Sequence, residues 1–204
     1  MPQPTEDADK LFIIVVDETY GGNESTYTID SEQYQKDLQR EFQANFQVVN
    51  VGPGADLPGF LTDLAKADFP LWPAVVATFF LGKQVKENFD AWIEMGRTVQ
   101  RFFARPIIVA RHGAAVLAIA ALFDEVGGTP KSLRLVRYRA GHISERGSLA
   151  RADLGSGIEE NPPTLNLGYV VHFFEIESDG QLFRIAVDGK QTEVVKIGYP
   201  SAQI

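Results

Sequence analysis

The sequence predicts a mixed α+β chain of the α/β type: a largely parallel sheet flanked by helices over residues 10–140, followed by a C-terminal antiparallel three-stranded meander. Three observations carry this expectation. Short strand-like runs at residues 11–16, 46–51 and 106–110, the first of them continuously apolar, alternate with stretches of helical period. That is the pattern of βαβ units, whose crossovers force parallel strands. Asp179-Gly180 and Asp188-Gly189 then punctuate three strand-like segments. Asp-Gly suits the type I′ hairpin turn, which needs positive φ at both central residues. Finally, 45% hydrophobic and 23% charged residues over 204 positions is ordinary globular usage. A chain of this length buries roughly 70% of its unfolded surface and needs no staple.

Taken in order, residues 1–9 are acidic and read as a flexible N-terminus, and residues 11–16 as a strand buried on both faces. A loop with Gly21-Gly22 follows. Asp30 or Ser31 is placed to cap a helix that sets Tyr34, Leu38 and Phe42 on one face. Residues 46–51 read as a second strand closed by Gly52-Pro53-Gly54, and Asp56 as the cap of a short helix bearing Phe60, Leu61 and Leu64. Residues 73–81 fit a buried strand or a core helix begun by Pro73; the strand is preferred. From 83 to 103 the apolar positions recur every three or four residues, the clearest helix in the chain. Residues 106–110 read as a strand and 114–126 as a deeply buried helix stopped by Gly127-Gly128. Residues 133–139 form a further strand. Alternation along it would put Leu133, Leu135, Arg137 and Arg139 on one side and Arg134, Val136 and Tyr138 on the other. Residues 141–167 lose all periodicity and read as a long polar loop, and residues 168–198 as the meander, where His172 shares a face with Phe174 and Ile176. The whole is read as a single domain, 1–204.

Composition excludes several chemistries. With no cysteine there is no disulfide framework, thiolate zinc site, iron–sulfur cluster or cysteine nucleophile. His112, His142 and His172 show no metal-ligand spacing, and no phosphate loop, dinucleotide fingerprint or serine-hydrolase elbow occurs. No cofactor and no metal are therefore expected. The N-terminus lacks the basic and apolar regions of a secretory signal, and the apolar stretches at 71–81 and 113–123 are too short to span a membrane. A cytoplasmic protein without membrane contact is the expectation.

Charge is unevenly spread. Net charge is −8, yet residues 131–151 hold Lys131, Arg134, Arg137, Arg139, Arg146 and Arg151 against Glu145 alone. Residues 1–32 hold eight acids against Lys10. The overall sign argues against nucleic acid, whose binding rests on phosphate neutralisation. The basic stretch points instead to an acidic protein partner or an anionic small molecule. Arg134, Arg137, Arg139, Arg146 and Arg111 are the candidate binding residues, and the first expectation is an interaction or regulatory protein docking through that edge strand and the adjacent loop.

The alternative is an enzyme of the phosphatase or nucleotide-hydrolase type, with Asp17, Glu18 and His112 as catalytic candidates. Asp17-Glu18 ends the first strand, where open α/β sheets bind ligands and paired carboxylates hold Mg²⁺. This resembles phosphate-receiver domains, although no carboxylate ends the third expected strand and no lysine follows the fifth. Arg111-His112-Gly113 opens a helix, where backbone N–H groups favour anions. The tripeptide is similar to the Arg-His-Gly motif of histidine phosphatases; that family places it on the first strand and needs a second catalytic His and further pocket arginines, and here only His142 and His172 remain for the second His. The enzyme reading requires residues 17–18 and 111–113 to meet within one ligand length.

Overall fold

A computed structural model describes residues 11–51, 57–63, 78–86, 89–105, 107–142, 147, 149–151, 153–159, 170–188 and 191–198. Its elements run β1 (Phe12–Val16), α1 (Tyr27–Phe42), β2 (Gln47–Val51), β3 (Leu57–Asp63), α2 (Phe89–Gln100), β4 (Ile107–Val109), α3 (Arg111–Val126), β5 (Leu133–His142), β6 (Val170–Ser178), β7 (Gln181–Val187) and β8 (Thr192–Ile197). Single 3-10 turns lie at Arg101–Ala104 and Leu149–Arg151.

The expected largely parallel sheet does not form. The described strands make two four-stranded sheets, ordered β2-β3-β1-β4 and β5-β6-β7-β8, and every neighbouring pair is antiparallel. The crossover logic itself holds, because β1 and β2, joined through α1, run in the same direction. The difference is β3, which returns from β2 and inserts between them, antiparallel to both. β4 likewise runs parallel in direction to β3 with β1 between them. Two interleaved βαβ units thus give a split arrangement in which no parallel strands touch.

β3 occupies the place of the short helix expected near residue 60; its proposed cap, Asp56, lies outside the described residues. Phe60 and Thr62 are buried while Leu61 and Asp63 are half-buried, a period of two. Pro58 sits near the strand's start, and its carbonyl accepts the N–H of Asp17 at 3.0 Å. Of the strand preferred over 73–81, residues 73–77 lie outside the described residues and 78–80 form a helical turn.

The clearest helix of the sequence begins later than expected. Residues 83–86 are extended, and Val85 exchanges two backbone hydrogen bonds with Leu133, at 2.7 and 2.8 Å. Helix α3 starts at Arg111 and ends at Gly127, whose N–H returns to the carbonyls of Asp124 and Phe123. It is buried almost all round, between α2 and the second sheet. The strand at 133–139 is β5 and belongs to that second sheet, so the expected three-stranded meander has four strands. Its β6–β7 turn is Asp179-Gly180, both at positive φ, 46° and 77°.

One apolar cluster joins Ile13, Val15 and Phe60 of the first sheet to Val116 and Ile119 of α3 and to Leu135, Phe174 and Ile185 of the second. A smaller cluster sits on the other face of the second sheet: Leu149, Leu154, Val171, Phe173 and Ala186. Part of the long polar loop is therefore packed down; residues 1–9, 143–146 and 160–167 lie outside the described residues. Among the described residues no helix is long and apolar enough to cross a membrane.

Candidate functional site: the two faces of β5

A bulge sets the chemistry of β5. Its register against β6 shifts between Leu135 and Arg137, so Val136 is an extra residue and the alternation slips by one. The sequence reading divided the arginines between faces. With the bulge, Arg134, Arg137 and Arg139 share the outer face, while Leu133, Leu135, Tyr138 and Ala140 are buried on the inner one.

Each outer-face arginine meets a group on β6. Arg134 pairs with Glu177 at the exposed end. Arg137 donates to Oε2 of Glu175 at 3.0 Å, and Arg184 on β7 donates twice to Oε1, from Nε at 3.1 Å and Nη2 at 2.6 Å. Glu175 is 1% exposed and the Arg184 side chain 11%, so one buried carboxylate is clamped between two guanidinium groups. Nη1 of Arg184 donates onward to the carbonyls of Leu149 and Ala150 at 3.0 and 3.1 Å. Arg139 lies over the Phe173 ring, 5.7 Å from its centroid. Arg146 lies outside the described residues.

The inner face carries a polar chain. The Val109 carbonyl can only accept, so His172 Nε2 donates to it at 3.3 Å and Nδ1 accepts the Tyr138 hydroxyl at 2.9 Å. This fixes a neutral tautomer. Burial drives the His172 pKa down to about 4 and raises that of Tyr138. Phe80 packs edge-on against both Tyr138 and His112, and the Arg111 guanidinium lies 5.0 Å from its ring centroid. Arg111 and His112 form the first turn of α3, as expected, with His112 buried.

Asp17 and Glu18 are elsewhere. β1 pairs with β4 in the register Ile13↔Val109 and Val15↔Ile107. Asp17 therefore lies past one end of that pair, towards Arg105, and Arg111 past the other, towards Leu11. Six residues of strand separate them, about 20 Å at ~3.3 Å per residue. One small ligand does not reach both, and the structure does not bring the enzyme candidates together. The Asp17 carboxylate is buried and serves its own loop. Oδ1 accepts the N–H and hydroxyl of Thr19 at 3.0 and 2.7 Å; Oδ2 accepts the hydroxyls of Ser31 at 2.7 Å and Tyr27 at 3.3 Å. Glu18 accepts the Tyr34 hydroxyl at 3.0 Å, beside Arg105, which also binds Glu41 at 2.5 Å. Burial pushes Tyr34 up to about 12. Among the described residues no three His, Asp or Glu side chains are grouped to hold a metal.

Two residues central to this site escaped the sequence reading: Glu175 and Arg184. A signal existed, since Arg184 is the lone charge of Gln181–Val187 and Glu175 interrupts the apolar run that ends at Ile176 in Val170–Ser178. Single charges in such strands call for a partner, and these are across from each other. Leu149 and Leu154 carried no signal, lying in a segment without periodicity. No family model, no curated protein and no solved structure matches this chain.

Proposed function

We propose that the chain is an interaction protein that docks an acidic partner at the basic corner where β5 begins. Support comes from the Val85↔Leu133 pairing, which sets Lys83 and Lys86 beside Lys131 and Arg134. All four are exposed. Arg134 is paired with Glu177, but none of the three lysines forms an ion pair with a described residue. The Asp179 carboxylate nearby is engaged by the backbone N–H groups of Lys131 and Ser132, which lowers its value as a counter-charge. Leu81, 67% exposed, adds an apolar contact beside Gly82. The three lysines, without an ion pair among the described residues, are the observation that carries this reading. Arg137 and Arg139, engaged on the outer face, contribute less than the sequence led us to expect.

On an exposed surface such attraction is screened by salt. A labelled oligoglutamate peptide is expected to bind at low ionic strength and to be released at high. The Lys83→Glu/Lys86→Glu/Lys131→Glu variant should bind at least about tenfold more weakly, roughly 1.4 kcal/mol. Unchanged affinity in that variant, or binding insensitive to salt, would defeat the reading.

A further inference from the structure

We propose that the outer face of the second sheet, together with the neighbouring edge of β5, is a surface for an extended peptide, and that the described residues 149–151 and 153–159 are its resting occupant, a strap that a partner peptide of like chemistry displaces. The inference uses none of the basic-corner lysines.

The strap is held in the ways by which a sheet holds a peptide in trans. Arg184 grips it at its 3-10 turn through the main-chain carbonyls of Leu149 and Ala150, of which an extended peptide would present one at a time. Leu149 and Leu154 are its apolar anchors, buried against Val171, Phe173 and Ala186. Ile158 then pairs in parallel with Tyr138: the Tyr138 N–H donates to the Gly157 carbonyl at 3.2 Å, and the Glu159 N–H to the Tyr138 carbonyl at 2.9 Å.

That pairing is minimal. Among the described residues the edge of β5 is met by two isolated bridges, at Leu133 and Tyr138. The next donor along, the Ala140 N–H, is met at 2.8 Å by the Glu159 carboxylate rather than by a main-chain carbonyl. A longer strand would continue the ladder from Tyr138 through Ala140 and gain hydrogen bonds that the strap does not make. Gly155 and Gly157, at φ of 64° and 84°, turn the strap from its leucine anchors to the edge. A continuous strand needs no such turns. The matching partner is an extended segment with branched aliphatic anchors and an acidic residue that follows them.

The closed strap is the ground state, since it keeps Leu149 and Leu154 out of water. A tethered segment also competes at an effective concentration on the order of millimolar. A labelled peptide of residues 147–159 is therefore expected to bind the Leu149→Ala/Leu154→Ala protein at least about tenfold more tightly than wild type. Equal binding, or none, to a variant whose circular dichroism and melting show it folded would overturn the proposal. Hydrogen exchange on the unmodified chain tests the same point without a variant. The Glu159 amide is expected to exchange through a local opening, well ahead of the β6 and β7 amides. Protection of Glu159 equal to theirs would mean that the strap leaves only on global unfolding, and the proposal would fall.

Discussion

Glu175 is buried against two cations, Arg137 and Arg184, so its charge is worth more to the fold than that of an exposed acid. Replacing it by Gln keeps the shape and leaves Arg137 and Arg184 facing an amide. Breaking a buried pair in this way costs about 3–5 kcal/mol, because an uncompensated charge stays behind. Arg134→Ala, by contrast, removes a pair whose side chains are 48% and 23% exposed, and should cost no more than ~1 kcal/mol. Urea unfolding of the two variants checks the ranking; a Glu175→Gln loss as small as that of Arg134→Ala would refute it. His172 gives a pH prediction. Its pKa falls from 6.5 to about 4 on folding, so the neutral ring is what the fold accepts. The stability this contributes is fully present above pH 6.5 and is lost as pH falls through about 4, up to about 3 kcal/mol in all. In the His172→Gln variant the decline in stability between pH 6.5 and about 5 should flatten; an unchanged slope there would count against the assignment. The face that His172 shares with Phe174 and Ile176 was legible from alternation. Its Tyr138 and Val109 partners were not, since they come from another strand and the other sheet.

At the scale of elements, most were legible and their neighbours were not. The runs that became β1, β2 and β4, the periods that became α1 and α2 and the Ala-rich stretch that became α3 are local signals, and local physics produces them. Sheet order is a long-range property. β3 was hidden because Phe60, Leu61 and Leu64 fit a helical period, and pairing with β1 and β2 on both sides decided for the strand. The bulge at Val136 was invisible for a related reason: alternation assumes an unbroken pleat, and one extra residue inverts every face beyond it. Helix packing offers a sharper test. Gly96 on α2 faces Ala120 on α3 so closely that a Cβ at position 96 would lie 2.4 Å from that of Ala120. Gly96→Ala should force the helices apart and cost about 1–3 kcal/mol despite its better helix propensity. Adding Ala120→Gly should recover much of the loss. Thermal melts that show the single variant as stable as wild type would exclude the close contact.

For the whole molecule the question is whether two sheets built from different stretches of chain behave as one body. The large apolar cluster runs without interruption from β1 through α3 to β6 and β7. The hydrogen bond from His172 on β6 to the Val109 carbonyl ties the sheets directly, edge to inner face. The inner faces of both sheets meet α3 in that cluster, so removing one leaves the helix half bare. We therefore expect the amides of Ile13 to Val15 in β1 and of Phe173 to Ile185 in β6 and β7 to share one opening free energy, and calorimetry to return equal calorimetric and van't Hoff enthalpies. A first sheet that melts separately from the second would show as two transitions and as two classes of slow amides. Either result would confine the β4–β6 hydrogen bond to a contact between independent units. It would also move the strap question to the second sheet alone, because among the described residues the outer-face cluster holds no residue of the first.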